Sequence, residues 1–288
     1  MTPLVTVGLS CFNEEAFVRH AIASILGQTF RDWELIAIDD GSHDGTAEVL
    51  RGVRDPRVRV VIDGRHRGLA ARLNEIAALA AGKYVARMDA DDAAHPQRLE
   101  RQVAYLESHP EVDVLGTGMA IVDRRGRVNG LRSMPEEPFA NAREPLIAHA
   151  TICYRREWVR SHPYNERHPR SEDWVLWRTT GPVAGKNLPE PLYFYREFDS
   201  FRLGKYLGRQ MSMMKSYARH GELARLARSV FHCGVYTAAA IAGMTDALIA
   251  RRSTPLDVHQ QSELQHAFDA ILHTKLEDRQ QAPAASDA

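Results

Sequence analysis

Three carboxylates, Asp89, Asp91 and Asp92, crowd into the stretch YVARMDADDAAHP (84–96), directly after an apolar run. Like charges this close repel, and each raises the cost of ionising the next. A hard divalent cation removes that conflict. Mg2+ and Mn2+ take one or two carboxylates, keep water, and fill the remaining positions with substrate phosphates. The stretch therefore reads as a metal site that holds a diphosphate. Two plainer readings compete with it. A calcium loop of the EF-hand type would place Glu100 at its last ligand position, but Ala93 and Ala94 stand where a ligand and the turn glycine belong. An acidic turn ahead of the helix that begins near Pro96 would need no metal at all.

Two more polar clusters could share that site. SCFNEE (10–15) brings Ser10, Phe12, Asn13 and Glu14, and DDGSHDG (39–45) brings Asp39 and Asp40. A carboxylate there could accept hydrogen bonds from a nucleobase N–H or from ribose hydroxyls. Ordinary turn chemistry explains Asp, Gly and Ser in such a run equally well. No G-x-G-x-x-G and no G-x-x-x-x-G-K-[ST] occurs, so dinucleotide and P-loop readings lose their usual support.

The elements that carry these clusters alternate. Strand patterns cover 4–10, 33–39, 57–62, 84–88 and 112–123, and helical patterns cover 14–28, 44–53, 68–83 and 96–109, with Asp44 a good N-cap. That order predicts an α/β fold with a mostly parallel central sheet covered on both faces. In such sheets ligands bind beyond the carboxyl ends of the strands, and the three clusters each follow a strand. Residues 124–150 lose periodicity and read as a substrate-facing connection. Strand or strand-helix patterns return at 150–159 and 190–196, and from 201 the chain reads helical. The expected division is a catalytic domain over 1–200, a helical C-terminal extension over 201–280 and a disordered tail over 281–288.

With 288 residues, 44% hydrophobic, the chain can bury a large core. Lys+Arg and Asp+Glu both number 37, so no global field argues for a nucleic-acid partner. The three cysteines, Cys11, Cys153 and Cys233, form no disulfide framework, and the start carries no basic leader. Both features favour a reducing, cytoplasmic setting. Residues 229–250 read as a buried or interfacial helix, with a transmembrane span as the lesser alternative because His232 and Asp246 interrupt it. Residues 201–228 hold seven Lys/Arg and one acid, Glu222. The expected arrangement is an amphipathic helix packed on the catalytic domain. Peripheral contact with an anionic membrane face is the alternative.

Taken in order, VTVGLSCFNEE, SILGQTFRDWELIAIDDGSHDGT and GLAARLNEIAALAAGKYVARMDADDAAHPQRLERQ resemble the family 2 glycosyltransferases, inverting enzymes of the GT-A fold. ATICYRREWV, SEDWVLWRTTG and NLPEPLYFYR resemble the family's second half, so the likeness runs over about 4–196. The resemblance implies roles. Asp40 contacts the donor base with Asp39 supporting it, and Phe12 packs on the base where the family often has Tyr. Ser10, Asn13 and Glu14 belong to the same donor-binding segment. Arg72 approaches the nucleotide, although a solvated helix surface is its alternative. Asp89 serves the ribose or the metal shell, Asp91 ligates Mn2+ or Mg2+ directly, and Asp92 orients the loop. In SEDWVLW (171–177), Asp173 is the general base and Glu172 its neighbour, with simple first-turn acids as the competing reading.

The implied partners are a nucleotide-sugar donor, most often a UDP-sugar in this family, and a saccharide or lipid-linked saccharide acceptor. A metal-dependent nucleotidyltransferase or phosphohydrolase, and a non-catalytic nucleotide-sugar sensor, are the rival functions. One departure stands out. The family's Y-R-x-H reads Tyr195, Arg196, Glu197, Phe198 here. The histidines of 124–170, among them His149, receive no role.

Overall fold

β1 (Val5–Cys11), β2 (Trp33–Asp39), β3 (Val58–Ile62) and β4 (Tyr84–Asp89) run parallel in the spatial order β3-β2-β1-β4. In the computed structural model of the chain, residues 2–139, 145–168, 171–197, 203–219, 221–244 and 252–274 are described. The strands are apolar on both sides because both sides are covered. On β1 and β2 the alternation separates two cores. Val5, Val7, Leu9, Leu35 and Ala37 face one cluster with α1 (Val18–Leu26) and α4 (Arg98–Ser108). Ile36 and Ile38 face the other with α3 (Leu69–Leu79) and α5 (Arg156–Ser161).

Helix α2 (Thr46–Arg51) starts one residue later than its expected cap. Asp44 nonetheless accepts from the Thr46 N–H at 3.0 Å. After α3 the chain passes so close to β1 that a Cβ on Gly82 would lie 2.5 Å from the Thr6 nitrogen. The backbone cannot give way there, which accounts for the glycine between helix and strand.

Beyond β4 the sheet becomes mixed. It continues through β8 (Cys153–Arg155), β6 (Val114–Val122), β9 (Gly185–Tyr195) and β5 (Ala93–Ala94), with β7 (Val128–Arg132) paired to β6. β8 is antiparallel to β4 and β6, β5 to β9, and β7 to β6, whereas β6 and β9 are parallel. The parallel expectation thus describes the first four strands. β7 lies inside the segment expected to be irregular, and the strand-helix pattern at 150–159 resolves into a short 3₁₀ turn (His149–Thr151), β8 and α5.

Two buried side chains fix the segment after β4. Gln28, fully buried, donates to the His95 carbonyl at 2.9 Å and accepts from the Leu99 N–H at 3.0 Å, so it caps α4 from the end of α1. Arg98, equally buried, donates to the Arg87 carbonyl at 2.7 Å and to Gln102 at 3.1 Å.

Among the described residues three helices follow: α7 (Leu203–Arg219), α8 (Leu223–Ile241) and α9 (Val258–Leu272), after α6 (Glu172–Thr179) and β9. α9 docks firmly, with Phe268 fully buried 5.1 Å from the Phe194 ring of β9. α7 packs Tyr217 edge-on to Trp174 of α6. Of the buried or interfacial helix expected over 229–250, the described part, to 244, is not a buried one. Only Ser229 and Tyr236 are buried along it, while Val230, Phe231 and Ile241 are exposed. Among the described residues no helix is long and apolar enough to cross a membrane. The boundary near 200 and the tail over 281–288 lie outside the described residues.

Candidate active site

Strand register brings the clusters together. Ser10 pairs with Asp89 across β1 and β4, and Cys11 pairs with Asp39 across β1 and β2. Neighbouring strands lie about 4.8 Å apart, so the three strand ends open on one crevice. The loop after β1 is laced to the loop after β2. Asn13, in the left-handed region at φ 57°, accepts from the His43 N–H at 2.8 Å and donates its own N–H to Ser42 Oγ at 2.9 Å. Asparagine tolerates that conformation better than most residues. The Glu14 N–H reaches Thr46 Oγ1 at 2.8 Å.

Gly41, at φ +75°, lets this second loop meet residues 65–66. A Cβ there would sit 3.0 Å from the Arg65 carbonyl carbon and the His66 nitrogen. Asp40 is 2% exposed, and its carboxylate accepts from the Arg67 N–H at 2.8 Å, the Gly68 N–H at 2.9 Å and Arg72 Nε at 2.7 Å. His66 Nδ1 lies 3.0 Å from the other side of it. Asp39 stands beside it, with Oδ2 accepting from the Ser42 N–H at 3.2 Å and Oδ1 buried without a partner. Phe12 projects at the mouth, 38% exposed, its ring centroid 4.2 Å from that of His66.

Arg72 is held within the protein. It is fully buried, and its remaining N–H groups go to Asp63, Glu75 and the Arg65 carbonyl. A guanidinium has five such donors, and all are used within the protein. Its burial excludes the solvated-surface alternative. Arg72 acts by holding Asp40.

Asp89, Asp91 and Asp92 each offer a carboxylate oxygen within 4.8 Å of the others. Asp89 is gripped from its own strand by Arg87, at 2.6 and 3.0 Å. Asp92 is fully buried. One of its oxygens accepts from the Arg196 N–H at 2.8 Å and the other, also buried, has no partner. Burial first, then the charges of Asp91 and Asp89, push the Asp92 carboxyl well above the usual carboxylate range. A buried orphan oxygen beside two further carboxylates is what a hard cation would satisfy, so the donor set fits Mn2+ or Mg2+. Tyr193 on β9 accepts from the Asp89 N–H at 3.1 Å and closes the floor.

Glu172 and Asp173 open α6. Glu172 is buried and Asp173 half-buried, its Oδ1 accepting from the Trp174 N–H at 2.8 Å. Arg87 ties this helix to the metal side. Burial opposes charge on its guanidinium, but the Asp89 carboxylate, with smaller help from Tyr164, Tyr193 and last Glu172, raises its pKa. Behind it, the Tyr154 and Tyr164 hydroxyls meet at 2.7 Å, and His149 Nε2 reaches Tyr164 at 2.7 Å.

Arg87, Arg196, Gln28 and His66 complete this architecture, and the sequence reading passed over each as a site residue. Arg87 had a visible signal: a charge inside an apolar strand, two residues before Asp89 and therefore on its face. Arg196 donates Nη1 to the Asp91 carbonyl at 3.1 Å. Glu197 pairs with Arg132 and Arg252 and so serves as an anchor, while Phe198, where the family pattern departs, lies outside the described residues.

Residues 6–182 match the family described as Glycosyl transferase family 2. EpsE of Bacillus subtilis (strain 168), a glycosyltransferase by name, is 37% identical over 211 residues, covering 69% of this chain and 76% of EpsE. The Escherichia coli protein named UDP-Glc:alpha-D-GlcNAc-diphosphoundecaprenol beta-1,3-glucosyltransferase WfaP is 26% identical over 178 residues, 60% of this chain and 68% of WfaP. Among solved structures, the mannosyltransferase PcManGT from Pyrobaculum calidifontis, in complex with GDP-Man and Mn2+, superposes with a TM-score of 0.58 at 17% identity, over 97% of this chain and 88% of that one. The fold is thus of the GT-A type, and with a match across most of its length the chain belongs to glycosyl transferase family 2 and is a glycosyltransferase.

Proposed function

We propose that the chain moves a sugar, with inversion, from a UDP-sugar to a hydroxyl of a saccharide or lipid-linked saccharide. The observation that carries this reading is the convergence of a triple-carboxylate cluster and a carboxylate-and-aromatic cluster on adjacent strand ends. Phe12, Asp40 and Asp39 take the base, with Ser10, Asn13 and Glu14 shaping the loop around it. Asp91 and Asp89 hold Mn2+ or Mg2+, and Asp92 orients their loop. A bound divalent ion would supply charge stabilisation for the departing nucleoside diphosphate.

Asp173 takes the proton of the acceptor hydroxyl as its oxygen attacks the anomeric carbon. The bond from that carbon to the diphosphate breaks on the opposite face, and its electron pair leaves with the diphosphate oxygen. An α-linked donor then gives a β-linked product. UDP is favoured by the donor in WfaP's name, while the GDP-Man of PcManGT keeps GDP as the rival base. The lipid-linked substrate in the same name supports a lipid-carried acceptor. Residues 1–200 form the catalytic unit and 201–280 the helical extension.

Calorimetric titration of UDP, GDP and dTDP, with Mn2+ and then with EDTA, tests the donor half. One nucleotide should bind in the micromolar range, and both EDTA and Asp91→Ala should abolish its binding. Failure of all three nucleotides to bind with metal present would sink the reading.

A further inference from the structure

Asp40 cannot accept a nucleobase as it stands. A carboxylate has about four lone-pair positions; Arg67 N–H, Gly68 N–H and Arg72 Nε fill three at 2.8, 2.9 and 2.7 Å, and His66 Nδ1, hydrogen-bonded to the Asp40 carbonyl, lies 3.0 Å from the carboxylate and covers the fourth. For a base N–H to reach it, one of these donors must leave. The two backbone donors lead into α3, and Gly41 locks the preceding backbone by close approach. Arg72 is fully buried and pinned by Asp63, Glu75 and the Arg65 carbonyl. His66 is different. Its side chain is 58% exposed, and rotation about its own bonds is enough to release it.

The chemistry of His66 also copies that of a base. Its Nδ1 lies 3.0 Å from both the Asp40 carbonyl and the Asp40 carboxylate. Both are acceptors, so Nδ1 carries the hydrogen. A flat ring thus points an N–H at Asp40 while packing on Phe12, with centroids 4.2 Å apart and planes tilted by 34°. A pyrimidine imide would present the same donor and use the same aromatic face. At that separation no second ring fits between Phe12 and His66.

We propose that His66 and the donor base compete for one position on Asp40 and Phe12, so that donor binding expels the imidazole and His66 sets donor affinity. This rests on the assignment of Asp40 and Phe12 to the base. A competing internal group lowers apparent affinity by the fraction of time it occupies the site. Losing one net intramolecular hydrogen bond corresponds to about a two- to tenfold change.

The test measures UDP and uridine binding by calorimetry for the full chain, His66→Ala, Phe12→Ala and Asp40→Asn, with thermal melts to certify folding. A crystal structure with UDP complements it. His66→Ala should tighten both ligands about two- to tenfold, and in the UDP complex the imidazole should have left Asp40. If Phe12→Ala and Asp40→Asn weaken binding but His66→Ala weakens it or leaves it unchanged, or if the imidazole stays on Asp40 with UDP bound, the competition is overturned and the base assignment survives. If Phe12→Ala, an exposed position that does not threaten folding, changes neither ligand's affinity, the base assignment fails and the competition with it.

Discussion

Asp173 and Asp92 are both acidic side chains near one crevice, yet burial assigns them different work. Asp92 has no exposure, and burial with two neighbouring carboxylates favours its proton. Asp173 keeps access at the first turn of α6, where the helix N-terminus favours an anion. Asp173→Asn should therefore reduce kcat by about 10²–10⁴-fold while UDP affinity changes little, as calorimetry beside a turnover assay would read. Equal losses in both would mean that Asp173 shapes the donor site instead. At this scale the acidic residues were legible because spacing alone makes them costly. Their partners were not. Arg72 reads as a helix residue beside the nucleotide, but which acceptors consume its donors depends on Asp40, Asp63 and Arg65 meeting in three dimensions. His66 sits in a basic run with nothing local to mark it.

Helix α6 carries the candidate base, and one ion triplet fastens it to the C-terminal extension. Glu222, at the start of α8, accepts from Arg178 of α6 at 2.7 Å and from Arg225 at 2.7 Å. Arg178 first, then Arg225, hold its carboxyl down from 4.5 to about 2. The folded-state value is depressed, so this contribution is present above pH 4.5 and fades as pH falls toward about 2. Glu222→Gln should cost about 1–2 kcal/mol at neutral pH. The stability gap between wild type and variant should narrow across that acidic window in denaturant titrations. A gap that stays constant with pH would deny the linkage. Strand and helix periods were readable wherever an element ran several residues with one buried face, as in β1 to β4. β5 has two residues and β8 three. Such short strands carry no period of their own and exist only because a neighbour offers a ladder.

Across the whole molecule, the catalytic crevice is anchored on one side and an apolar surface is bared on another. Leu223, Val230, Phe231, Ile241 and Met244 are exposed along or just after α8, with Arg228 among them. Isolated exposed apolar residues need no explanation, but a row of them beside cations suits a lipid headgroup layer. The chain should co-float with vesicles containing anionic lipid more than with zwitterionic ones. Phe231→Ser combined with Val230→Ser should reduce that retention without lowering UDP affinity. Equal retention on both vesicle types would argue against this surface as the attachment face. The sequence predicted a basic helical extension but left buried and interfacial readings of 229–250 open, because an Ala-rich helix has little contrast between its faces.

α9 has a consequence for when the enzyme can become active. Phe268 lies under the Arg196 guanidinium, 5.2 Å from ring centroid to carbon, and that same residue braces Asp91 and Asp92. The acidic loop is made first, yet one of its supports, Phe268, emerges from the ribosome well after it. A nascent chain halted before residue 258 would hold every proposed ligand and Arg196, but not the Phe268 ring that backs Arg196. Its Mn2+ affinity should fall below that of the finished protein, so synthesis itself would time the onset of donor binding.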